Sequence, residues 1–477
     1  MRKQNIKFEY LILTIIFIFA FFLRTYALGT PPLWIDESIS AVASLNILEK
    51  GLPIFDSNLL YDRGYFFHYS QSFFLLFGQT DFFLRFVSVI FGMLTILLAY
   101  LIGKEYSKYG GIISALCMSI FYLEVFYSRQ ARFYQLFQLA FFVSLYFLYK
   151  SRENPKWLYL SLITLFITID SQIAGLVLCP FFIVHILIYN QKWLSIIPSI
   201  PLIKYFVTLI NLPSGTKQTA ISYASKYFSF TSNMIYMLIL FVPGIIWAFI
   251  KKKRLTFLIV APSIVLLISI LSLKTFALRY VYFFAFPLVL YTSLFFSFLY
   301  ERYGKYVLIA IVFVLIFPSN LIFPHTGINI IKPIDYNFYD YTAPEINLKN
   351  IQPTLKIDIE KNILISYFSS GVEWYIKKPD FVLPFSMDGR GSDQISYNNS
   401  DGNTVDIYSG SPILQSRPLE SYYLIADIFS TSKLRPSQRE MLNLLIKNCS
   451  ISYENQDLKI YNCSKKYNHS TTIKFLN

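Results

Sequence analysis

The sequence predicts an α-helical polytopic membrane protein with a smaller α/β domain at its C-terminal end. Three observations carry that expectation. The 477 residues are 55% hydrophobic and only 15% charged, against roughly 25% charged in an average soluble domain. The 42 Lys and Arg outnumber the 28 Asp and Glu, yet they do not gather into a basic face. They punctuate long apolar runs, the pattern of membrane spans rather than of nucleic-acid binding. Near residue 330 the character changes, and Asn, Ser, Asp and Tyr replace the apolar runs. With 47 Phe and 37 Tyr, the chain is too apolar to stay disordered.

The first apolar segment, 8–28, follows a basic start containing Arg2, Lys3 and Lys7. It is long enough to span, and no small-x-small cleavage site follows it, so it reads as an uncleaved anchor. Further spans are expected at 82–103, 110–128, 133–150, 157–171, 173–190, 193–210, 232–250, 255–273, 280–300 and 306–324, about eleven crossings in all. The 157–171 span is short, and Pro198 and Pro201 interrupt 193–210. The run 66–77 is too short to cross and reads as an interfacial or re-entrant helix.

Alternate loops differ in charge. With the N-terminus inside, the inner loops hold Lys104, Lys108, Lys150, Arg152, Lys156, Lys192, Lys251–Arg254, Arg302 and Lys305. The outer loops hold Arg63, Arg129, Arg132, Lys217, Lys226, Lys274 and Arg279. The bias is roughly two to one and puts the N-terminus in the cytoplasm. An odd number of crossings then places the tail outside. The expected division is a transmembrane domain, 1–329, with a first outer loop at 29–81, and an extracytoplasmic α/β domain, 330–477.

The tail has short β-like runs at 363–368, 381–384, 404–408 and 422–428, and helical spacing over 435–447. Its length suffices for one small domain. The N-x-S/T acceptors Asn398, Asn448, Asn462 and Asn468 all fall in the tail, which agrees with an extracytoplasmic face. The four cysteines form no CxxC pair or metal spacing. Cys117 and Cys179 sit in apolar runs as small hydrophobes. Cys449 and Cys463 flank a hairpin expected to pair Ile451 with Ile460 and Tyr453 with Leu458. In that register Cys449 faces Asn462, and a disulfide would need a bulge near the strand ends.

Ionisable groups persist in membrane proteins where they work or are paired, and here they gather on the outer side. The first outer loop reads Pro31-Pro32-Leu33-Trp34-Ile35-Asp36-Glu37. The adjacent carboxylates Asp36 and Glu37 point in different directions on a helix, so one can act as general base while the other positions a partner. An Asp followed by Glu-Ser also suits a helix N-cap. Arg129 and Arg132, three apart, are expected on one helical face, the arrangement that clamps a phosphate by forked hydrogen bonds. Snorkelling to headgroups is the plainer use of either arginine. Lys274, Arg279 and Tyr280 form a third outer cluster, and Arg85 adds a cation at the same level. Such a set suits transfer from a lipid-linked phosphate donor, the carboxylate taking a proton from an acceptor while the cations hold the leaving phosphate.

The runs LWIDESISAVASLNILEKGLPIF, LFGQTDFFLRFVSVIFGMLTILLAYLIGKEY, SRQARFYQLF and LRYVYFFAFPLVL resemble the GT-C superfamily of glycosyltransferases. They are most similar to the dolichyl-phosphate-mannose–protein mannosyltransferase family and its bacterial relatives that glycosylate lipid A. The resemblance covers most of 1–324 in order, and ILISYFSSGVEWYIKKPDFVL in the tail resembles the soluble part of prokaryotic members. It implies a catalytic acid at Asp36, a second member of the pair at Glu37, Arg85 opening the span after the loop, and Arg279 and Tyr280 near the donor phosphate. The loop 61–68 departs from the Pro-Pro-Leu sequence of many relatives, and Asp62, Arg63 and His68 stand there instead, either as an acceptor site, with Tyr134, or as ordinary loop residues. The implied partners are a polyprenyl-phosphate-linked sugar, a protein, lipid or glycan acceptor, and membrane lipid, with no nucleic acid. No cofactor is implied. No third ligand is assignable beside Asp36 and Glu37, so no metal site is assigned and dependence on a divalent metal is left open. No GxGxxG or P-loop is present to cradle a soluble nucleotide donor.

A transporter or lipid flippase of cell-envelope precursors is the competing class. Against it, the spans lack central charges or matched broken helices in two halves. Asp170 and Glu124, the acids deep enough to serve, are expected near the outer ends of their spans. A scaffold for surface-polymer assembly would leave the convergence of acids and arginines without a reason.

Overall fold

The computed structural model describes residues 2–55, 60–189, 192–210, 235–271, 278–304, 306–307, 346–367, 369–382, 396–398, 404–406, 421–432, 434, 439, 442–443, 445–447 and 449–463. The chain divides into two compact units. The first comprises Met1–Leu28, Arg63–Phe67 and Arg85–Ile334, and the second Gly29–Asp62, His68–Leu84 and Asp335–Asn477.

The first unit is helical. Apolar runs without water to satisfy their amides close their hydrogen bonds within helices. Helix α1 spans Arg2–Thr25; α2 (Ile35–Lys50) and most of α3 (Tyr65–Leu75) belong to the second unit; and α4 spans Asp81–Tyr106. The expected span 110–128 is broken at Phe121, whose backbone is extended (ψ 125°), into α5 (Gly110–Ile120) and α6 (Tyr122–Tyr127). There follow α7 (Tyr134–Lys150), α8 (Lys156–Ser171), a tight turn at Ile173–Val177 leading into α9 (Leu178–Tyr189), and α10 (Ile196–Ile210). Pro201 lies inside α10 without ending it. The expected spans 232–250 and 255–273 form one run, α11 (Ile235–Leu271), interrupted at Lys252 (φ −141°, ψ 63°) within the basic stretch read as a loop. A short α12 (Leu278–Val281) and α13 (Ala285–Tyr303) follow in this unit. The last expected span, 306–324, lies outside the described residues beyond 307. Among the described residues, three helices are long and apolar enough to cross a membrane: Asp81–Tyr106, Met237–Leu271 and Arg279–Tyr303.

Small and hydroxylic residues bring these helices together, as in membrane interiors generally. A Cβ on Gly244 would collide with the Tyr291 carbonyl, so α11 and α13 pack backbone to backbone there. Ser114 and Ser293 hydroxyls lie 2.7 Å apart between α5 and α13, and Ser161 Oγ donates to the Ser144 carbonyl at 2.7 Å between α7 and α8. Cys117 and Cys179 are buried and free.

The second unit carries a five-stranded sheet in the order β2-β1-β5-β7-β6. Strands β1 (Ile363–Ser366), β2 (Phe381–Val382) and β5 (Tyr422–Asp427) are parallel, while β7 (Leu458–Cys463) runs antiparallel to β5 and to β6 (Ser450–Glu454). β3 (Ser396–Asn398) and β4 (Thr404–Asp406) form a separate antiparallel pair. Helices α14 (Pro353–Lys361) and α15 (Ser369–Tyr375) accompany β1. One core gathers Leu364, Tyr423, Ile425, Leu458 and Ile460 with Val372, Ile359 and, from α2, Ile35.

The hairpin differs from its expected register. Ile451 pairs with Tyr461 and Tyr453 with Ile460, with a bulge between them. That bulge moves the preceding residue into line with Cys463, and Cys449 and Cys463 are disulfide-bonded with their Cα atoms 4.3 Å apart.

Candidate active site

The two acids of the first loop differ in burial and in the contacts they make. Trp34 is extended (φ −81°, ψ 169°) and is the N-cap of α2, so the helix begins at Ile35 and both acids lie in its first turn. There the exposed amides and the helix dipole favour negative charge. Glu37 is fully buried, and its Oε2 accepts the Trp34 N–H at 3.3 Å. This corrects the expectation of Asp36 as the cap: the reach-back contact belongs to Glu37, because the cap residue is two positions earlier than the Asp-Glu-Ser pattern implies. Asp36 is half-buried, and its backbone carbonyl accepts from Ser40 Oγ at 3.1 Å. Gly51, in the left-handed region at φ 76°, closes the other end by donating to the Ile47 carbonyl.

Of the loop residues 61–68, Asp62 and Arg63 are exposed ahead of α3, while His68 is buried within it. His68 Nδ1 lies 3.1 Å from Gln71 Oε1 and 3.4 Å from Ser44 Oγ, and its ring meets Tyr61 edge-on at 5.2 Å. Gln71 Nε2 in turn donates to the Leu84 carbonyl at 3.0 Å. His68 therefore ties α3 to α2 through polar contacts in the interior.

The cations belong to the helical unit. Arg129 and Arg132 do not share a helical face: α6 ends at Tyr127, and 128–133 is a turn before α7. Buried Arg129 donates through Nη1 to the carbonyls of Leu23 (2.9 Å), Arg24 (3.4 Å) and Tyr26 (2.7 Å), at the end of α1. Helices end with carbonyls that lack partners, and a cation there also meets the negative end of the dipole. Arg85 donates to the Leu28 carbonyl at 3.1 Å. The guanidinium of Arg132 lies over the rings of Phe133 (4.5 Å) and Tyr134 (5.7 Å). Tyr134 opens α7 and meets Tyr127 edge-on at 6.0 Å. Arg279, half-buried on α12, stands 5.5 Å from the ring of Tyr280. Lys274 lies outside the described residues.

A polar network that the sequence alone does not announce joins Tyr282 to α4, α6 and α7. The Tyr282 hydroxyl is 2.8 Å from Glu124 Oε2, 2.5 Å from Gln135 Oε1 and 3.2 Å from Gln138 Oε1. Gln138 Nε2 donates to Glu124 Oε1 at 2.7 Å, and Gln135 Nε2 to Thr95 Oγ1 at 2.8 Å. The ring of Tyr282 stacks on Tyr127 at 4.1 Å. Three residues after Arg279, Tyr282 thus anchors the Arg279–Tyr280 segment to α4, α6 and α7. The signal was the polar pair Gln135 and Gln138 inside an apolar run. Asp170, the other acid considered for a transporter, caps α3: its Oδ1 and Oδ2 accept the N–H groups of Tyr65 (3.1 Å) and Phe66 (3.0 Å).

Among the described residues, no group of three or more His, Cys, Asp or Glu is placed to hold a metal ion. Residues 63–214 match the family model described as dolichyl-phosphate-mannose-protein mannosyltransferase. Among solved structures, apo ArnT from Cupriavidus metallidurans superposes with a TM-score of 0.64 at 10% identity, over 98% of this chain and 100% of that one. The chain has the GT-C fold. ArnT bound to undecaprenyl phosphate gives 0.61 at 10% identity over 99% and 100% of the two chains. The Archaeoglobus fulgidus oligosaccharyltransferase, in complex with Zn and sulfate, gives 0.55 at 12% identity over 95% of this chain and 73% of that one. No curated protein matches the chain by sequence. Within this GT-C fold the family match takes in Arg63, His68, Arg85, Arg129, Arg132 and Tyr134, while Asp36, Glu37, Arg279 and Tyr280 fall outside it.

Proposed function

We propose that the chain is an integral-membrane glycosyltransferase that moves a sugar from a polyprenyl-phosphate donor to a hydroxyl of a protein, lipid or glycan on the outer face of the plasma membrane. The observation that carries this reading is the acid pair on the first turn of α2. Glu37 accepts the N-cap amide, and Asp36 stands half-buried beside it at a helix terminus that favours a carboxylate in its charged, proton-accepting form.

In this reading Asp36 takes the acceptor proton, the acceptor oxygen bonds to the anomeric carbon, and the bond to the carrier phosphate breaks with inversion. Arg279, Tyr280, Arg132 and Lys274 receive the leaving phosphate, while Arg85 and Arg129 brace the end of α1. The ArnT complex with undecaprenyl phosphate supports a carrier of that chemistry. The same reading takes 1–329 as the transmembrane catalytic domain with about eleven crossings, its N-terminus cytoplasmic, and 330–477 as extracytoplasmic. The positive-inside bias and the Cys449–Cys463 disulfide, at home in an oxidising compartment, support that orientation.

The test incubates purified protein with a panel of radiolabelled polyprenyl-phosphate sugars and membranes. Label should pass from one donor to a membrane-borne acceptor, with release of carrier phosphate. Transfer from none of them overturns the reading. A C-terminal reporter active only in the cytoplasm overturns the orientation and the site with it.

A further inference from the structure

Asp81, the first residue of α4, is 5% exposed and is held by three side chains from distant segments. Lys349 Nζ donates to it at 2.8 Å, Trp374 Nε1 at 2.7 Å and the Tyr375 hydroxyl at 3.0 Å. Two of those side chains also grip the loop that leads to Asp36. Lys349 Nζ donates to the Gly29 carbonyl, and the Tyr375 hydroxyl accepts the Leu33 N–H at 2.6 Å. Gly29 and Leu33 bracket the Pro31-Pro32 pair, and Asp36 follows Leu33 by three residues. Beneath them, Ile35 is buried in the same apolar core as Ile346, Leu348 and Val372, with Ile39 and Tyr375 packed against it.

An acid in the first turn of a helix is ordinary, since the helix terminus favours it. That explains a carboxylate at Asp81. It does not explain three donors from residues 349, 374 and 375, nor the second bond each of Lys349 and Tyr375 makes to the loop backbone. A buried carboxylate is costly unless paired, and bonds to it from charged or polarised donors are short and strong. The arrangement is therefore a rigid post: α4 supplies the anion, segment 346–376 supplies the donors, and two of those donors, Lys349 and Tyr375, also bond the Pro-Pro loop.

We propose that Asp81, Lys349, Trp374 and Tyr375 are positioning residues that set the conformation of 29–36 and so hold Asp36 where it removes the acceptor proton. This rests on the reading of Asp36 as the base. A general base works within about 2.6–3.2 Å of its proton, and a displacement of about 1 Å can cost about 10²-fold in rate. Segment 346–376 is in this way part of the working site.

The test uses the full chain in lipid nanodiscs. Tyr375→Phe removes one hydroxyl and no charge, and Trp374→Phe keeps a ring and removes one donor; either carries the test if Asp81→Asn fails to fold. Amide hydrogen exchange of peptides covering 29–40 should accelerate about tenfold in Tyr375→Phe while the unfolding temperature stays near that of the parent. With the labelled donor that supports transfer, kcat should fall about 10-fold or more while the donor KM stays within about twofold. In an Asp36→Asn background, Tyr375→Phe should cost nothing further, because the two act through one group. Unchanged exchange at 29–40 overturns the post. Accelerated exchange with unchanged kcat, or an undiminished Tyr375→Phe effect in the Asp36→Asn background, overturns the coupling to Asp36. Near-native transfer by Asp36→Asn alone refutes the base instead, and the exchange measurement still judges the post.

Discussion

In the helical unit three buried arginines, Arg24, Arg85 and Arg129, donate to main-chain carbonyls near helix ends. Arg24 donates to the carbonyls of Met118 and Ser119 at the end of α5, Arg129 to those of Leu23, Arg24 and Tyr26 at the end of α1, and Arg85 to that of Leu28 just beyond it. In the second unit the buried acid Asp81 is met instead by side chains, from residues 349, 374 and 375. The difference follows from helix polarity. A helix C-terminus leaves carbonyls without intrahelical partners, and a nearby arginine satisfies several at once. A helix N-terminus presents amides and the positive end of the dipole instead, so a carboxylate such as Asp81 sits there and gathers side-chain donors. An arginine near a span end is therefore ambiguous between helix terminus and phosphate, and its bonding partners decide which.

That contrast is open to direct test. The largest effect is expected at Arg279, whose proposed partner is the carrier phosphate. Arg279→Lys keeps the charge and loses the fork, and should lower donor-dependent transfer by about 2–4 kcal/mol in transition-state stabilisation, with folding retained. Near-native turnover of both Arg279→Lys and Arg279→Ala would place the phosphate elsewhere. Arg129→Ala should behave oppositely. Losing charged bonds to three carbonyls should lower stability by on the order of 3 kcal/mol, seen as a lower unfolding temperature or yield. Arg132→Ala, which removes contacts with aromatic faces, should cost about 1 kcal/mol. Equal losses in the two variants would erase the distinction between them.

Tyr282→Phe should come next, lowering transfer by about tenfold through a looser Arg279 segment. An increase in donor KM is the signature to look for, and an unchanged KM and kcat would detach the network from the site. The smallest effect concerns Glu373, which is in the second unit. Burial, and then Glu49, push its carboxyl from 4.5 up to about 7, against the opposing pull of Lys50. Among the described residues its Oε2 has no hydrogen-bond partner. In the window between 4.5 and about 7 the folded chain holds a proton that the unfolded chain has lost. Stability is thus greatest at the acid end and falls as pH rises through about 7. Glu373→Gln should raise the unfolding temperature above neutral pH and leave it unchanged near pH 4.5. A variant no more stable than the parent at alkaline pH contradicts this.

The helical runs were legible because exclusion of water forces apolar stretches into helices. The breaks were less so. Nothing in Ser119-Ile120-Phe121-Tyr122 announces that Phe121 leaves the helix, so Arg129 and Arg132 were placed on a face that ends at Tyr127. The hairpin register differs by one residue at Ile451 and by two at Tyr453, since Tyr461 serves as well as Ile460 as an apolar partner for Ile451, and the bulge that accommodates Cys449 carries no composition signal. The acid pair stood out after Pro-Pro-x-Trp. Which acid caps was hidden, because the extended Trp34 is an unusual N-cap. The post at Asp81 was invisible for a different reason: its partners lie 268 to 294 residues away, and only the fold brings them together.

The central claim is that two neighbouring carboxylates divide structure from chemistry, and paired substitutions test it most directly. Glu37→Gln keeps an oxygen for the Trp34 N–H, and Asp36→Asn is nearly isosteric; each is assayed for labelled-sugar transfer and for donor binding. Asp36→Asn should lose about 10²-fold or more in transfer while binding donor and folding as the parent does, and Glu37→Gln should stay within about tenfold of the parent. An Asp36→Asn protein that transfers sugar at near-native rate would contradict the claim and place the base elsewhere.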